Sequence, residues 1–263
     1  MKCLMVDPYN YDVTYSINPW MNTSMKVNRS IAISQWHNLK SILEGIGIEV
    51  NVAESTQGLP DMVFAANAGK VYKKKVLLGN FRDKERKGES PHFKKWFDNN
   101  GYVISELDPT YVWEGEACSI ETKGTLIYSY GYRSDKLSYL YVREFYKHTD
   151  LKFVELIDPY FYHLDVSLAI LENEILLYCP LAFKVHDQYW LANKFPNSIE
   201  VSFDDALNLG CNVFSYRKNL VINSNVSDQL IEQIESFGFK VYRCDVSEFI
   251  KAGGGVKCLI LTL

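Results

Sequence analysis

Two hydrophobic periods alternate along the chain. Stretches with apolar residues at helical spacing are each followed by a short apolar run that predicts a strand. Residues 31–43 have near-helical spacing, meet Gly45 and Gly47, and lead into Ile48-Glu49-Val50-Asn51-Val52. Ser90-Pro91 reads as the N-cap and first residue of a helix bearing Phe93, Trp96 and Phe97, which Gly101 stops before Tyr102-Val103-Ile104. Helical residues 134–148 precede an apolar run at 151–154, and residues 185–194 precede one at 198–201. Ser227 caps a helix with Leu230, Ile231 and Ile234, and Gly238 ends it before a strand at 239–242.

Paired apolar runs, read as hairpins, precede most of these helices. They are 62–66 with 76–78, 119–120 with 125–128, 166–171 with 175–178, and 212–215 with 220–222. The missing pair is completed by the two ends of the chain, 258–263 beside 2–6. Five ββαβ units closing head to tail describe a ring with pseudo-fivefold symmetry, a single domain over residues 1–263. An irregular mixed α/β sheet is the competing arrangement, and the long first linker, residues 7–28, favours it mildly. The ring is preferred because each terminus supplies one strand of the fifth hairpin.

Composition narrows the function. At 47% hydrophobic the chain can bury a substantial core and is too apolar for disorder. A net charge of −4 gives no footprint for nucleic acid, and Lys73-Lys74-Lys75 falls between two apolar runs as a solvated hairpin turn. No run approaches the roughly 20 apolar residues that cross a bilayer, so no membrane partner is expected. Asp7 and Pro8 come too early for a signal-peptide core, so a cytoplasmic protein is expected. Six cysteines lie singly, at 3, 118, 179, 211, 244 and 258. Their spacing supports neither a disulfide framework nor a zinc site, and no metal or organic cofactor is expected. A small-molecule partner is expected, and a homo-oligomer is compatible with this reading.

His163 and Asp165 stand at i and i+2 before an apolar run, which in an extended chain makes their side chains neighbours. On the pair alone, a satisfied pair at a strand end is the favoured reading. Cys258 follows Gly253-Gly254-Gly255-Val256-Lys257; the glycines suit either close ligand approach or a helix stop, and the cysteine either a nucleophile or a buried thiol. Position in the repeat separates these readings. Asn67, Glu114, His163, Asp165 and Cys258 all fall near the start of a unit's hairpin. A ring brings those places together at its axis, and a cysteine, a histidine and a glutamate converging there fit covalent catalysis.

Residues 59–69 (LPDMVFAANAG), Trp113-Glu114-Gly115, Tyr162-His163-Leu164-Asp165 and residues 253–259 (GGGVKCL) resemble the guanidine-modifying superfamily. That superfamily holds arginine deiminases, dimethylarginine dimethylaminohydrolases, amidinotransferases and arginine dihydrolases. The resemblance covers nearly the whole chain and implies a five-bladed α/β propeller. The opening segment around Asp12, Tyr15, Ile17, Asn18, Pro19, Trp20 and Met21 is most similar to the dihydrolase branch. The resemblance implies Cys258 as nucleophile, His163 as the acid that later activates water, and Asp165 as acceptor of guanidinium hydrogen bonds. Glu114 would orient His163 or hold the guanidinium. Arg86 and Arg133 match arginines that hold the substrate carboxylate, with Asn18 and Asp61 supporting the amino-acid end. A surface ion pair within the charged run 82–89 is the alternative for Arg86.

The chain departs from the superfamily's usual pattern at two places. Glu116-Ala117-Cys118 stands where a small residue and an aspartate usually follow the Glu-Gly pair. Asn67 stands where deiminases and dimethylarginine hydrolases carry aspartate and the dihydrolase branch carries asparagine. A neutral amide donates as well as accepts, so it would hold a neutral ureido group that a carboxylate repels. The expected activity is therefore conversion of arginine to ornithine, carbon dioxide and two ammonia. A single-step hydrolase of arginine, dimethylarginine or citrulline is the nearest rival. A non-catalytic binding propeller, as in a ribosome-binding initiation factor, is the rival of another class, and the full Cys, His, Glu and Asp set argues against it.

Overall fold

The computed structural model describes residues 1–146 and 150–263. Their strands form five three-stranded sheets. In each, a central strand pairs antiparallel with one neighbour and parallel with the other. The first unit joins Gly69–Tyr72, Lys75–Leu78 and Val103–Ser105, and the second joins Ser119–Thr122, Thr125–Tyr130 and Asp150–Glu155. The third joins Leu168–Leu171, Ile175–Tyr178 and Ser198–Glu200, and the fourth Phe214–Tyr216, Asn219–Asn223 and Lys240–Cys244. The fifth closes the ring: Leu261–Thr262 lies antiparallel to Lys2–Val6, which runs parallel to Glu49–Ala53. This is the mixed α/β propeller expected from the repeats, and the irregular single sheet is excluded.

Local sequence explains the crossovers. Helix Arg29–Gly45 buries Ala32, Trp36, Leu39 and Leu43 along one stripe, and the Asn28 side chain accepts from the Ile31 N–H as its N-cap. Helix Asp228–Ser236 is capped by Ser227 and buries Leu230, Ile231 and Ile234. Central strands such as Ile175–Tyr178 are buried throughout, whereas outer strands such as Val103–Ser105 are partly exposed. Their apolar runs are therefore continuous, not alternating. Lys73, Lys74 and Lys75 are exposed at the first hairpin, with Lys73 at φ 56°.

Four local expectations are corrected. Residues 62–66 are not a strand: Pro60–Val63 and Ala65–Ala68 form 3-10 turns, and the strand begins at Gly69. Every residue from Pro60 to Gly69 is buried, and a short apolar run does not distinguish a strand from an enclosed turn. Ser90 is not the N-cap; its helix spans Glu89–Asn99 after Gly88, and the Ser90 hydroxyl donates to the Gly79 carbonyl. Residues 164–166 are a 3-10 turn instead of extended chain. Within 134–148 the helical part is broken into Lys136–Ser138, Tyr139–Val142 and Arg143–Phe145, while 147 and 148 lie outside the described residues.

Candidate active site

A turn precedes the first hairpin strand of every unit, and these turns carry the chemistry to the axis. Asn67 lies in Ala65–Ala68, Glu114 precedes Gly115–Cys118, His163 precedes Leu164–Val166, which holds Asp165, and Cys258 lies in Lys257–Leu259. The first unit's turn packs against those of the second and fifth, and the second's against that of the third. Close approach depends on Gly115, which has φ 69° and abuts the backbone of Ala66 and Asn67; a Cβ there would collide with it. One pocket opens among these turns, lined by Asn67, His163 and Cys258, and by Asn18, Asp61, Arg86 and Arg133. Ile17 and Asn18 come from the long first linker, so that segment roofs the pocket. The Asn18 amide donates to the Ala252 carbonyl at 3.1 Å.

Glu114 is fully buried and ties three elements together. One carboxylate oxygen accepts from the Arg82 N–H at 3.1 Å; the other is 2.8 Å from His163 Nε2 and 3.2 Å from Arg133 Nη1. Burial alone would push its carboxyl up, but Arg133 and the His163 hydrogen bond outweigh that and hold it well below the usual carboxylate range. An ionised Glu114 has no proton to give, so the shared hydrogen sits on His163 Nε2. In the neutral ring, Nδ1 is then the nitrogen without a hydrogen. The extended-chain pairing of His163 with Asp165 is thus replaced: the 3-10 turn hands the imidazole to Glu114.

Asp165 faces the thiol, with Oδ2 3.7 Å from Cys258 Sγ. Its Oδ1 is buried without a hydrogen-bond partner, as is Asp61 Oδ1. Burial raises both carboxyls, partly offset by His163 at Asp165 and by Arg86 at Asp61. Burial, and then the Asp165 charge, also push the Cys258 thiol far up. Two enclosed acceptors and a protonated thiol form a site that gains from a ligand rich in cationic N–H donors.

Arg86 is neither a surface ion pair nor a free fork. It is buried; Nε and Nη2 donate to the two Glu89 carboxylate oxygens at 2.7 and 2.8 Å. Nη1 donates to Asn67 Oδ1 at 2.9 Å and Nη2 also to the Asp61 carbonyl at 3.1 Å. Glu89 thus occupies the Nε–Nη2 edge, and Arg86 lines the pocket with a contact to a substrate carboxylate left to Nη1. Arg133 donates to the Ile17 carbonyl and to Glu114, and its guanidinium lies 5.0 Å from the Tyr162 ring centre.

Three further residues were not singled out from sequence. Glu89 reads as part of a solvated charged run. Tyr162 donates its hydroxyl hydrogen to the Gly253 carbonyl, and its ring lines the pocket. Asn212, fully buried, donates to the Asp165 carbonyl at 3.0 Å and accepts from the Cys258 N–H at 3.1 Å. It occupies the equivalent place before the fourth unit's hairpin, so the repeat itself was the signal that identifies it. Glu116, at the first departure from the family pattern, accepts from Lys257, Lys70 and the Thr262 N–H. Its longer side chain anchors the turn that carries Cys258. Among the described residues no group of three or more His, Cys, Asp or Glu side chains is placed to hold a metal ion, and no helix is long and apolar enough to cross a membrane.

Five ββαβ units around a buried cysteine, histidine and carboxylates define a member of the guanidine-modifying superfamily. The chain belongs to its dimethylarginine-hydrolase family: residues 12–263 match the model described as N,N dimethylarginine dimethylhydrolase, eukaryotic. It is 36% identical, over 99% of its length, to the bifunctional arginine dihydrolase/ornithine cyclodeaminase ArgZ of Synechocystis sp., and spans 37% of that relative. It is 33% identical over 98% of its length to the N(G),N(G)-dimethylarginine dimethylaminohydrolase of Mycobacterium tuberculosis, covering 84% of it. The crystal structure of the ArgZ N-terminal domain bound to substrate superimposes with TM-score 0.93, covering 99% of this chain and 97% of that one.

Proposed function

We propose that the protein is an arginine dihydrolase, a hydrolase of guanidino and ureido C–N bonds that works through a cysteine adduct. The observation that carries this reading is Asn67: an amide, not a carboxylate, lines the pocket beside Cys258 in a chain similar throughout to an arginine dihydrolase domain. Asp165 accepts the guanidinium N–H groups, and the cation's arrival stabilises the Cys258 thiolate that Asp165 alone disfavours. His163 Nδ1 takes the thiol proton as sulfur adds to the guanidinium carbon, and returns it to a terminal nitrogen as that C–N bond breaks and ammonia departs. His163 then takes a proton from water, the resulting hydroxide adds to the same carbon, and the C–S bond breaks to give citrulline. A second round on the ureido carbon expels another ammonia. Hydrolysis of that adduct leaves a carbamate, which loses carbon dioxide to give ornithine. Glu114 holds the imidazole in the required tautomer, and Arg133, Asn18 and Asp61 receive the amino-acid end.

The family model and the mycobacterial relative favour a second reading, hydrolysis of dimethylarginine to citrulline. Supplying citrulline as sole substrate separates the two. A dihydrolase consumes it and releases one ammonia per ornithine, whereas a single-step enzyme leaves it untouched. Inert citrulline, together with dimethylamine released from dimethylarginine, would replace the first reading by the second.

A further inference from the structure

The Arg86–Glu89 pair is buried against the site yet reaches no reacting group itself. A buried ion pair brings little net stability over apolar residues of the same volume, so its use is sought in geometry. Four donors of the Arg86 guanidinium are engaged, two by Glu89, one by the Asp61 carbonyl and one by Asn67 Oδ1, and the Phe81 ring centre lies 4.6 Å from Cζ. The group is held at its edge and on its face. On the other side of the amide, Asn67 Nδ2 donates to the Glu114 carbonyl at 3.3 Å. Turning the amide over would set N–H against N–H at Arg86 and oxygen against oxygen at Glu114, losing both hydrogen bonds. The remaining Nδ2–H is then the donor that Asn67 offers the pocket it lines.

We propose that Glu89 is a positioning residue that determines the product: by committing Arg86 to Asn67, it keeps an amide N–H on the ureido oxygen of citrulline and so retains that intermediate for the second attack. This rests on the dihydrolase reading. Without the Glu89 carboxylate, Arg86 loses its ion-pair partner and the two-point hold on its Nε–Nη2 edge, and is free to leave the amide. The Asn67 side chain then loses the partner that fixes its orientation, and neutral citrulline loses its donor.

The test is the ratio of citrulline to ornithine released from arginine by wild type and by Glu89→Gln, with thermal unfolding run alongside. Losing one charge-assisted hydrogen bond corresponds to about a tenfold to hundredfold effect, so the ratio is expected to rise at least tenfold. Glu89→Asp keeps the charge but withdraws it by one methylene, and should fall between the two; it carries the same test if the glutamine variant does not fold. A folded variant with the wild-type ratio, or one in which both steps slow equally, overturns the proposal while leaving the dihydrolase reading intact. Wild type that releases only citrulline overturns that reading and the proposal with it.

Discussion

Replacing Asp165 with asparagine should abolish turnover while making Cys258 more reactive towards a neutral reagent. Asp165 Oδ2 lies 3.7 Å from the Cys258 sulfur, and both groups are buried. Two unit charges about 4 Å apart at an effective dielectric near 20 interact by about 4 kcal/mol. Removing the carboxylate charge should lower the thiol by roughly three pKa units. At neutral pH the thiolate fraction then rises by about a thousandfold. Intrinsic nucleophilicity falls with pKa at a slope of about 0.4–0.5, leaving a net gain of roughly 30- to 60-fold. The assay is alkylation by iodoacetamide followed against pH, with far-ultraviolet thiolate absorbance as a readout independent of reagent access. Subtracting the same measurements on Cys258→Ala removes the other five cysteines, which are all buried and free. If the Asp165→Asn thiol titrates no lower than wild type, or alkylates more slowly, then Asp165 does not hold the resting thiol protonated, and substrate-assisted thiolate formation is refuted.

Other expectations follow from the same geometry. Burial raises the folded-state pKa of Asp165, so its ionisation costs stability that is absent below the unfolded carboxylate value and sets in as pH rises through the folded one. Asp165→Asn should therefore raise the thermal midpoint at neutral pH and lose that advantage in acid; an unchanged midpoint throughout would contradict it. Cys258→Ala should be folded and inactive, and His163→Ala slower by about a hundredfold or more, since ammonia must otherwise leave unprotonated; a folded, active alanine variant of Cys258 rules out the nucleophile. Arg133→Lys should raise KM for arginine about tenfold or more with little change in kcat, by loss of one charge-assisted contact; wild-type kinetics would place Arg133 outside the substrate's reach. Gly254→Ala sets a Cβ into the Phe64 ring at the pocket wall, so substrate binding should fail before the fold does, as ligand titration and thermal unfolding would show.

The sequence conveyed the repeat and most of the site, because both depend on periodicity. Hairpin pairs recur at regular intervals, and a polar residue recurs at the start of nearly every one. What periodicity does not carry is the shape of a three- or four-residue turn. The run from Pro60 to Gly69 is apolar on all sides because the axis encloses it, so it reads as a strand. Spacing alone sets His163 beside Asp165, whereas the resemblance names Glu114 as its orienting partner: two residues of spacing fix a common face in extended chain, but not in the 3-10 turn Leu164–Val166. Glu89 was hidden for a different reason. It stands among Arg82, Asp83, Lys84, Glu85, Arg86 and Lys87, and nothing in such a run tells which two charges fold inward. Asn212 was within reach, since its place in the fourth unit matches that of Asn67 and Cys258 in theirs.

The proposed reaction carries arginine through two hydrolyses in one pocket. Arginine labelled at the guanidino carbon tests it most directly, with the label and the ammonia counted after complete consumption. Two successive hydrolyses require the label to leave as carbon dioxide, with unlabelled ornithine and two ammonia per arginine. Label retained in citrulline, with one ammonia per arginine, would contradict it.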